Sequence, residues 1–145
     1  MPIGSYNWSI NCFDHFNNSG QSLFHTFTIH SFTNFNGSTT NLSLINNRNV
    51  TDFMMESTPH GLINFSGQTD LSSGYDFNQY VNISFNKVVL NSDSLGILNK
   101  SATIRIYGLS FSDPRIIRDG SVCSGSICTK LSYSGGTLIF NVTQF

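Results

Sequence analysis

Residues 5–12 alternate strictly, with Tyr6, Trp8, Ile10 and Cys12 on one face and Ser5, Asn7, Ser9 and Asn11 on the other. That is the pattern of a half-buried strand. Residues 14–21 read as a turn or loop by their Asn-Asn-Ser-Gly content, and residues 22–30 resume the alternation through Leu23, His25, Phe27 and Ile29. The two segments predict an amino-terminal β-hairpin. A lone hairpin is marginal in water because its apolar face has nothing to pack on, so this one has to dock on something.

Residues 31–49 are polar, rich in Asn, Ser and Thr, and without sustained period, which predicts a polar linker or long loop. Beyond it, residues 50–57 predict a short strand or one helical turn, 62–66 a strand, 67–74 a loop, and 75–85 a strand interrupted at Gln79. Residues 87–91 predict another strand, and 91–98 a turn of helix capped by Ser92 or Asp93.

The last third is the densest in strand signals. Ala102, Ile104 and Ile106 alternate with Thr103, Arg105 and Tyr107, and Leu109 and Phe111 continue out of phase, as after a bulge at Gly108. Asp113-Pro114 ends that run. Asp119-Gly120 predicts a hairpin turn between short apolar pairs, and Ser134-Gly135-Gly136 joins two final strands, with Leu138, Phe140 and Val142 inward and Asn141 outward. No segment sustains a 3.6-residue period. The expected architecture is therefore all-β: an antiparallel β-sandwich of immunoglobulin-like or Greek-key type with an N-terminal β-hairpin. It divides into a hairpin over 1–30, a polar linker over 31–49 and a sandwich domain over 50–145.

Composition adds the surface. Only 10% of residues are charged and the net charge is −1, so there is no basic footprint for nucleic acid. No apolar run approaches the roughly 20 residues of a membrane span. Asn-x-Ser/Thr sequons begin at Asn7, Asn17, Asn36, Asn41, Asn49, Asn64, Asn82, Asn99 and Asn141; 17 asparagines among 34 Ser and Thr give about four by chance. The excess points to a glycosylated, extracellular chain, against the plainer alternative of a compositional habit. Cys123 and Cys128 enclose four small or apolar residues and predict a short-range disulfide, closing a loop that chain entropy credits with roughly 2 kcal/mol. Metal-ligand and redox-dithiol readings are weaker at this spacing.

The runs Asn99-Lys-Ser-Ala-Thr-Ile, Tyr107-Gly-Leu-Ser-Phe-Ser-Asp-Pro-Arg-Ile-Ile-Arg-Asp-Gly, the Cys123 and Cys128 pair, and Ser132-Tyr-Ser-Gly-Gly-Thr-Leu-Ile-Phe-Asn-Val-Thr resemble a domain that recurs in large secreted surface proteins of uncultivated archaea. The resemblance covers roughly residues 50–145 and is tightest over 99–145. It implies a surface-protein module that often follows immunoglobulin-like repeats. The stretch Gly4-Ser-Tyr-Asn-Trp-Ser-Ile-Asn-Cys is similar to the penultimate strand of immunoglobulin-like domains, whose cysteine pairs with a strand far upstream. That similarity implies that Cys12 is unpaired here and that residues 1–30 are the last two strands of a domain this chain does not complete.

Catalytic chemistry is sparse. His15, His25, His30 and His60 lack metal-ligand spacing, and His25, beside Leu23 and Phe27, reads as a structural histidine. The acids are dispersed, and Asp70, Asp76 and Asn78 fit a solvated turn better than a calcium loop. No nucleophile elbow or phosphate loop occurs. The expected function is a non-catalytic, cofactor-free structural or adhesive cell-surface module that associates with other surface-protein domains, with glycans or with copies of itself by strand complementation. The alternative is a carbohydrate-binding module of a secreted degradative protein, using Tyr75, Tyr80 and Tyr133. Most of the 13 phenylalanines are expected in the core.

Overall fold

The structure, a computed structural model, describes residues 1–44 and 49–145; the part of the expected linker at 45–48 lies outside the described residues. Strand takes 45% of the chain and helix 6%, so the fold is all-β, as the period-two patterning requires. In chain order the strands are β1 (Gly4–Trp8), β2 (Asn11–Phe13), β3 (Ser19–Gln21), β4 (His25–Ile29), β5 (Asn49–Thr51), β6 (Met54–Ser57), β7 (Gly61–Phe65) and β8 (Gln68–Asp70). They continue as β9 (Val81–Ser84), β10 (Lys87–Leu90), β11 (Ala102–Ile106), β12 (Ile117–Arg118), β13 (Ser121–Val122), β14 (Cys128–Ser134) and β15 (Thr137–Val142).

One antiparallel sheet of five strands, in the order β14-β15-β11-β7-β6, forms the body. Ala102, Ile104 and Ile106 on β11 stand opposite Val142, Phe140 and Leu138 on β15, and opposite Phe65, Ile63 and Gly61 on β7. Directly opposed residues share a sheet face, so these form one continuous apolar face. It is buried under a second layer made by the β9–β10 hairpin, a single helical turn α1 (Phe77–Tyr80) and the segments carrying Leu95, Leu98 and Ile116. This is a β-sandwich arrangement. Phe53, Phe65 and Phe77 are wholly buried, and the Phe53 ring lies 5.9 Å from Phe65 and 5.5 Å from Phe77, centroid to centroid. The outer face carries Asn64, Thr103, Arg105 and Asn141, with Thr103 Oγ1 donating to Asn141 Oδ1 at 2.8 Å.

Residues 31–43 lie against the body. Phe32, Phe35 and Leu42 pack on the core, and the segment closes the outer edge of β6. Thr40 N–H donates to the Met54 carbonyl at 3.0 Å and Asn36 N–H to the Glu56 carbonyl at 2.8 Å. In return, Met54 N–H donates to Thr40 Oγ1 at 2.9 Å and Glu56 N–H to Thr39 Oγ1 at 2.8 Å. An edge strand is thereby satisfied by a loop that never becomes a strand, which period-two reading cannot detect. The buried Glu56 carboxylate accepts from Tyr107 Oη at 3.1 Å and from Ser38 N–H, fixing the loop from below.

Four local expectations are corrected. Residues 75–85 are not one strand: Asp76 accepts from Gln79 N–H at 3.1 Å and caps α1. The Asp-x-x-Gln spacing is a helix-start signal that outweighs four residues of alternation. Residues 67–74 are not all loop, because β8 pairs with β5. Leu109 and Phe111 do not extend β11; Gly108 turns the chain at φ +68°, and Phe111 is left exposed. The irregularity in the large sheet falls instead on β14, between Lys130 and Ser132. The two predicted turns do form hairpins, with positive φ at Asp119 and Gly120 and at Gly135 and Gly136.

Candidate interaction surface

Residues 1–30 form one projecting arm. β1 pairs antiparallel with β4, and β2 with β3 continues the arm to its tip. The expected loop at 14–21 is thus partly strand. Tyr6 stands opposite Phe27 and Trp8 opposite His25, with ring centroids 5.5 and 4.9 Å apart. On the other face Ser5 stands opposite Thr28 and Asn7 opposite Thr26, with Thr26 Oγ1 donating to Asn7 Oδ1 at 2.6 Å. One face of the arm is aromatic and the other is a ladder of hydroxyls and an amide. Between the Trp8–His25 and Asn11–Gln21 pairs, Ser9 and Ile10 face Ser22, Leu23 and Phe24, so the return strand bulges at Leu23-Phe24. That bulge breaks the phase that alternation predicts for Leu23.

The arm's apolar side chains are open to solvent. Trp8 is 46% exposed, Leu23 85% and Phe24 70%, and Ile10, Phe13, Phe16 and Phe27 are also exposed. Six of the 13 phenylalanines are exposed along the chain (Phe13, Phe16, Phe24, Phe27, Phe85 and Phe111), four of them on the arm, while the other seven lie in the core or pack against it, as expected of most. His25 is exposed and stacked on Trp8, so it is no buried structural histidine. Cys12 is free and exposed, near the tip.

Among the described residues the arm is fastened at its base. Ser5 Oγ and Thr28 Oγ1 both donate to the Ser72 carbonyl, at 2.6 and 3.2 Å. A Cβ on Gly74 would collide with the Gly4 backbone and approach the Ile29 carbonyl oxygen to 2.8 Å, so glycine is required for this contact. His30 stacks on Tyr75 and Phe77 with centroids 6.0 and 5.7 Å away, and its Nδ1 is buried without a partner. Burial holds the His30 imidazolium below its usual pKa.

The body also carries a cavity of about 670 Å³ between β10, β12 and the inner sheet face. Its floor includes Ile104, Phe140 and Val142, and its mouth carries Lys87, Arg115, Arg118 and Asp119, the last two paired at 3.5 Å. The floor residues are only 3–8% exposed.

Among the described residues no group of three His, Cys, Asp or Glu side chains is placed to hold a metal ion. Asp76 caps α1, Asn78 Nδ2 donates to Ser31 Oγ and Thr33 Oγ1, and Asp70 Oδ1 accepts from Ser72 N–H. Each of these three side chains therefore serves local backbone or loop structure. Cys123 and Cys128 form a disulfide with Cα atoms 5.9 Å apart. Eight sequon asparagines are exposed: Asn7, Asn17, Asn36, Asn41, Asn49, Asn82, Asn99 and Asn141. Asn64 is the exception, half-buried in the central strand β7 with Oδ1 buried and unpartnered. Tyr75, Tyr80 and Tyr133 are half-buried against the core, and Tyr133 Oη donates to the Phe111 carbonyl at 2.5 Å. No helix among the described residues is long and apolar enough to cross a membrane. No protein-family model matches the chain, and no curated protein matches it significantly.

Proposed function

We propose that the chain is a non-catalytic structural or adhesive module of an extracellular cell surface, glycosylated on exposed sequons and joined to its neighbours through the arm. The observation that carries this reading is the arm itself: an aromatic face open to solvent on a two-stranded element whose outer edges have no strand partner among the described residues. Such an element binds by strand addition or by covering its apolar face. The charge-poor surface, the eight exposed sequon asparagines and the disulfide agree with an oxidising, glycan-bearing setting, as does the resemblance to archaeal surface-protein domains. Partners are adjoining surface domains or further copies of the chain. Mass spectrometry of native material is expected to find glycans on sites such as Asn82 and an intact Cys123–Cys128 bond; bare sequons together with both thiols reduced would overturn the reading.

A carbohydrate-binding module is the second reading, and exposed Trp8 is what favours it. Sugar platforms need aromatic faces turned outward. One face of the Trp8 indole is covered by His25, and Tyr75, Tyr80 and Tyr133 are half-buried, so this reading ranks below the first. A glycan array without binding above background removes it.

A further inference from the structure

We infer that the cavity between β10, β12 and the inner sheet face is a binding site for a small anionic amphiphile: an aliphatic chain carrying one carboxylate, sulfate or phosphate head. The inference concerns the body and goes beyond the adhesive reading of the arm.

Burial shows where the tail would lie. Across the β9–β10 hairpin, Val88 stands opposite Ile83 and Leu90 opposite Val81. Directly opposed residues share a sheet face. Ile83 and Val81 are 5% and 2% exposed, whereas Val88 and Leu90 are only half-buried, so the apolar inner face of the hairpin loses cover from β9 toward β10, where the cavity opens. Ile116, also half-buried, lines it from the segment before β12, and Ile104, Phe140 and Val142 lie beneath. At about 670 Å³ the space falls within the roughly 300–1,000 Å³ of small-molecule sites. Its apolar floor and walls favour an aliphatic occupant over water.

Charge selects the head. Of the seven Lys and Arg, Lys87, Arg115 and Arg118 line this one cavity, and Asp119 is the one acid among the described residues around it. Arg118 holds only that exposed neighbour, at 3.5 Å, and neither Lys87 nor Arg115 makes an ion pair among the described residues. Cations elsewhere are engaged: Lys130 with Asp113 at 2.8 Å, and Lys100 with the Gln68 carbonyl and the Thr69 hydroxyl. In a chain of net charge −1, three cations against one acid leave positive charge in excess at an apolar opening. A guanidinium takes a carboxylate or phosphate through paired N–H donors, and a cleft with low-dielectric walls strengthens that attraction. A neutral or cationic amphiphile would use the floor and leave these cations without a counter-charge.

Calorimetric titration of the full chain with laurate, kept below its micelle concentration, is expected to show saturable binding of one molecule per chain. Dodecyltrimethylammonium, with the same tail and the opposite head, is expected to bind at least tenfold more weakly. Arg115→Ala combined with Arg118→Ala is expected to weaken laurate at least tenfold. In amide correlation spectra laurate is expected to shift Val88, Leu90 and Arg118 and to leave β1 and β4 unmoved. No saturation, equal affinity for the two heads, unchanged laurate affinity in the folded double variant, or shifts confined to the arm, whose own apolar side chains are exposed, overturns the inference. An extended peptide alternating Val and Glu is the rival occupant, and tighter binding of that peptide than of laurate also overturns the assignment. The head-group comparison uses the unaltered chain, so it decides the question even where the double variant fails to fold.

Discussion

The arm and the body use the same strand chemistry and differ in how they treat their edges and faces. In the body, the β6 edge is closed by Thr39 and Thr40, and the β14 edge carries Lys130 and an irregularity that spoils strand addition. The apolar face is covered, with Phe53, Phe65 and Phe77 at zero exposure. In the arm the edges carry no Lys or Arg, and Trp8, Leu23 and Phe24 stand in water. The open region is the one to which the proposed function assigns the partner.

The contrast can be broken first at the core. Phe53→Ala is expected to destabilise the body by about 3–5 kcal/mol in chemical denaturation, whereas Phe24→Ala changes monomer stability by about 0.5 kcal/mol or less. Equal losses would mean that the arm is packed as tightly as the body. Next comes the disulfide. Replacing Cys123 and Cys128 by Ser is expected to cost about 2 kcal/mol, because the bond closes a loop with a sequence separation of only 5. A loss that abolished folding would make it a principal support of the sandwich.

Thr39→Val tests edge closure. It leaves the Glu56 N–H without its acceptor at a buried residue, for an expected cost of about 1–2 kcal/mol and faster amide exchange along β6. The smallest effect is set by pH at the arm's base. Burial depresses the His30 pKa, so the unfolded chain binds the proton more readily. His30 therefore adds stability that is complete above the unfolded value of about 6.5 and is lost as pH falls through its folded value. Thermal midpoints measured between pH 7.5 and 5 are expected to fall less in His30→Phe, which keeps the stack on Tyr75 and Phe77, than in the unaltered chain. Parallel pH profiles for the two would contradict this.

Several elements were legible before the fold because their signals are local. Asp119-Gly120 and Gly135-Gly136 supply the positive φ of hairpin turns, and the alternation of Ala102, Ile104 and Ile106 sets one face of β11 in the core. Other elements depend on partners distant in sequence. Thr39 and Thr40 read as loop, since nothing local shows that their hydroxyls meet β6. Asp76 with Gln79 did carry a helix-start signal, overshadowed by the flanking aromatic alternation. For the arm, alternation correctly marked an apolar face on β1 but could not say whether anything covers it, because burial is a tertiary property. Trp8, on that face, is half exposed.

The central claim is that the arm is completed by a partner while the body is complete alone. Amide hydrogen exchange measured on the chain alone at low micromolar concentration tests it most directly. Amides of β7, β11 and β15 are expected to be protected at least a hundredfold more than those of β1 and β4. Equal protection in arm and body would contradict the account.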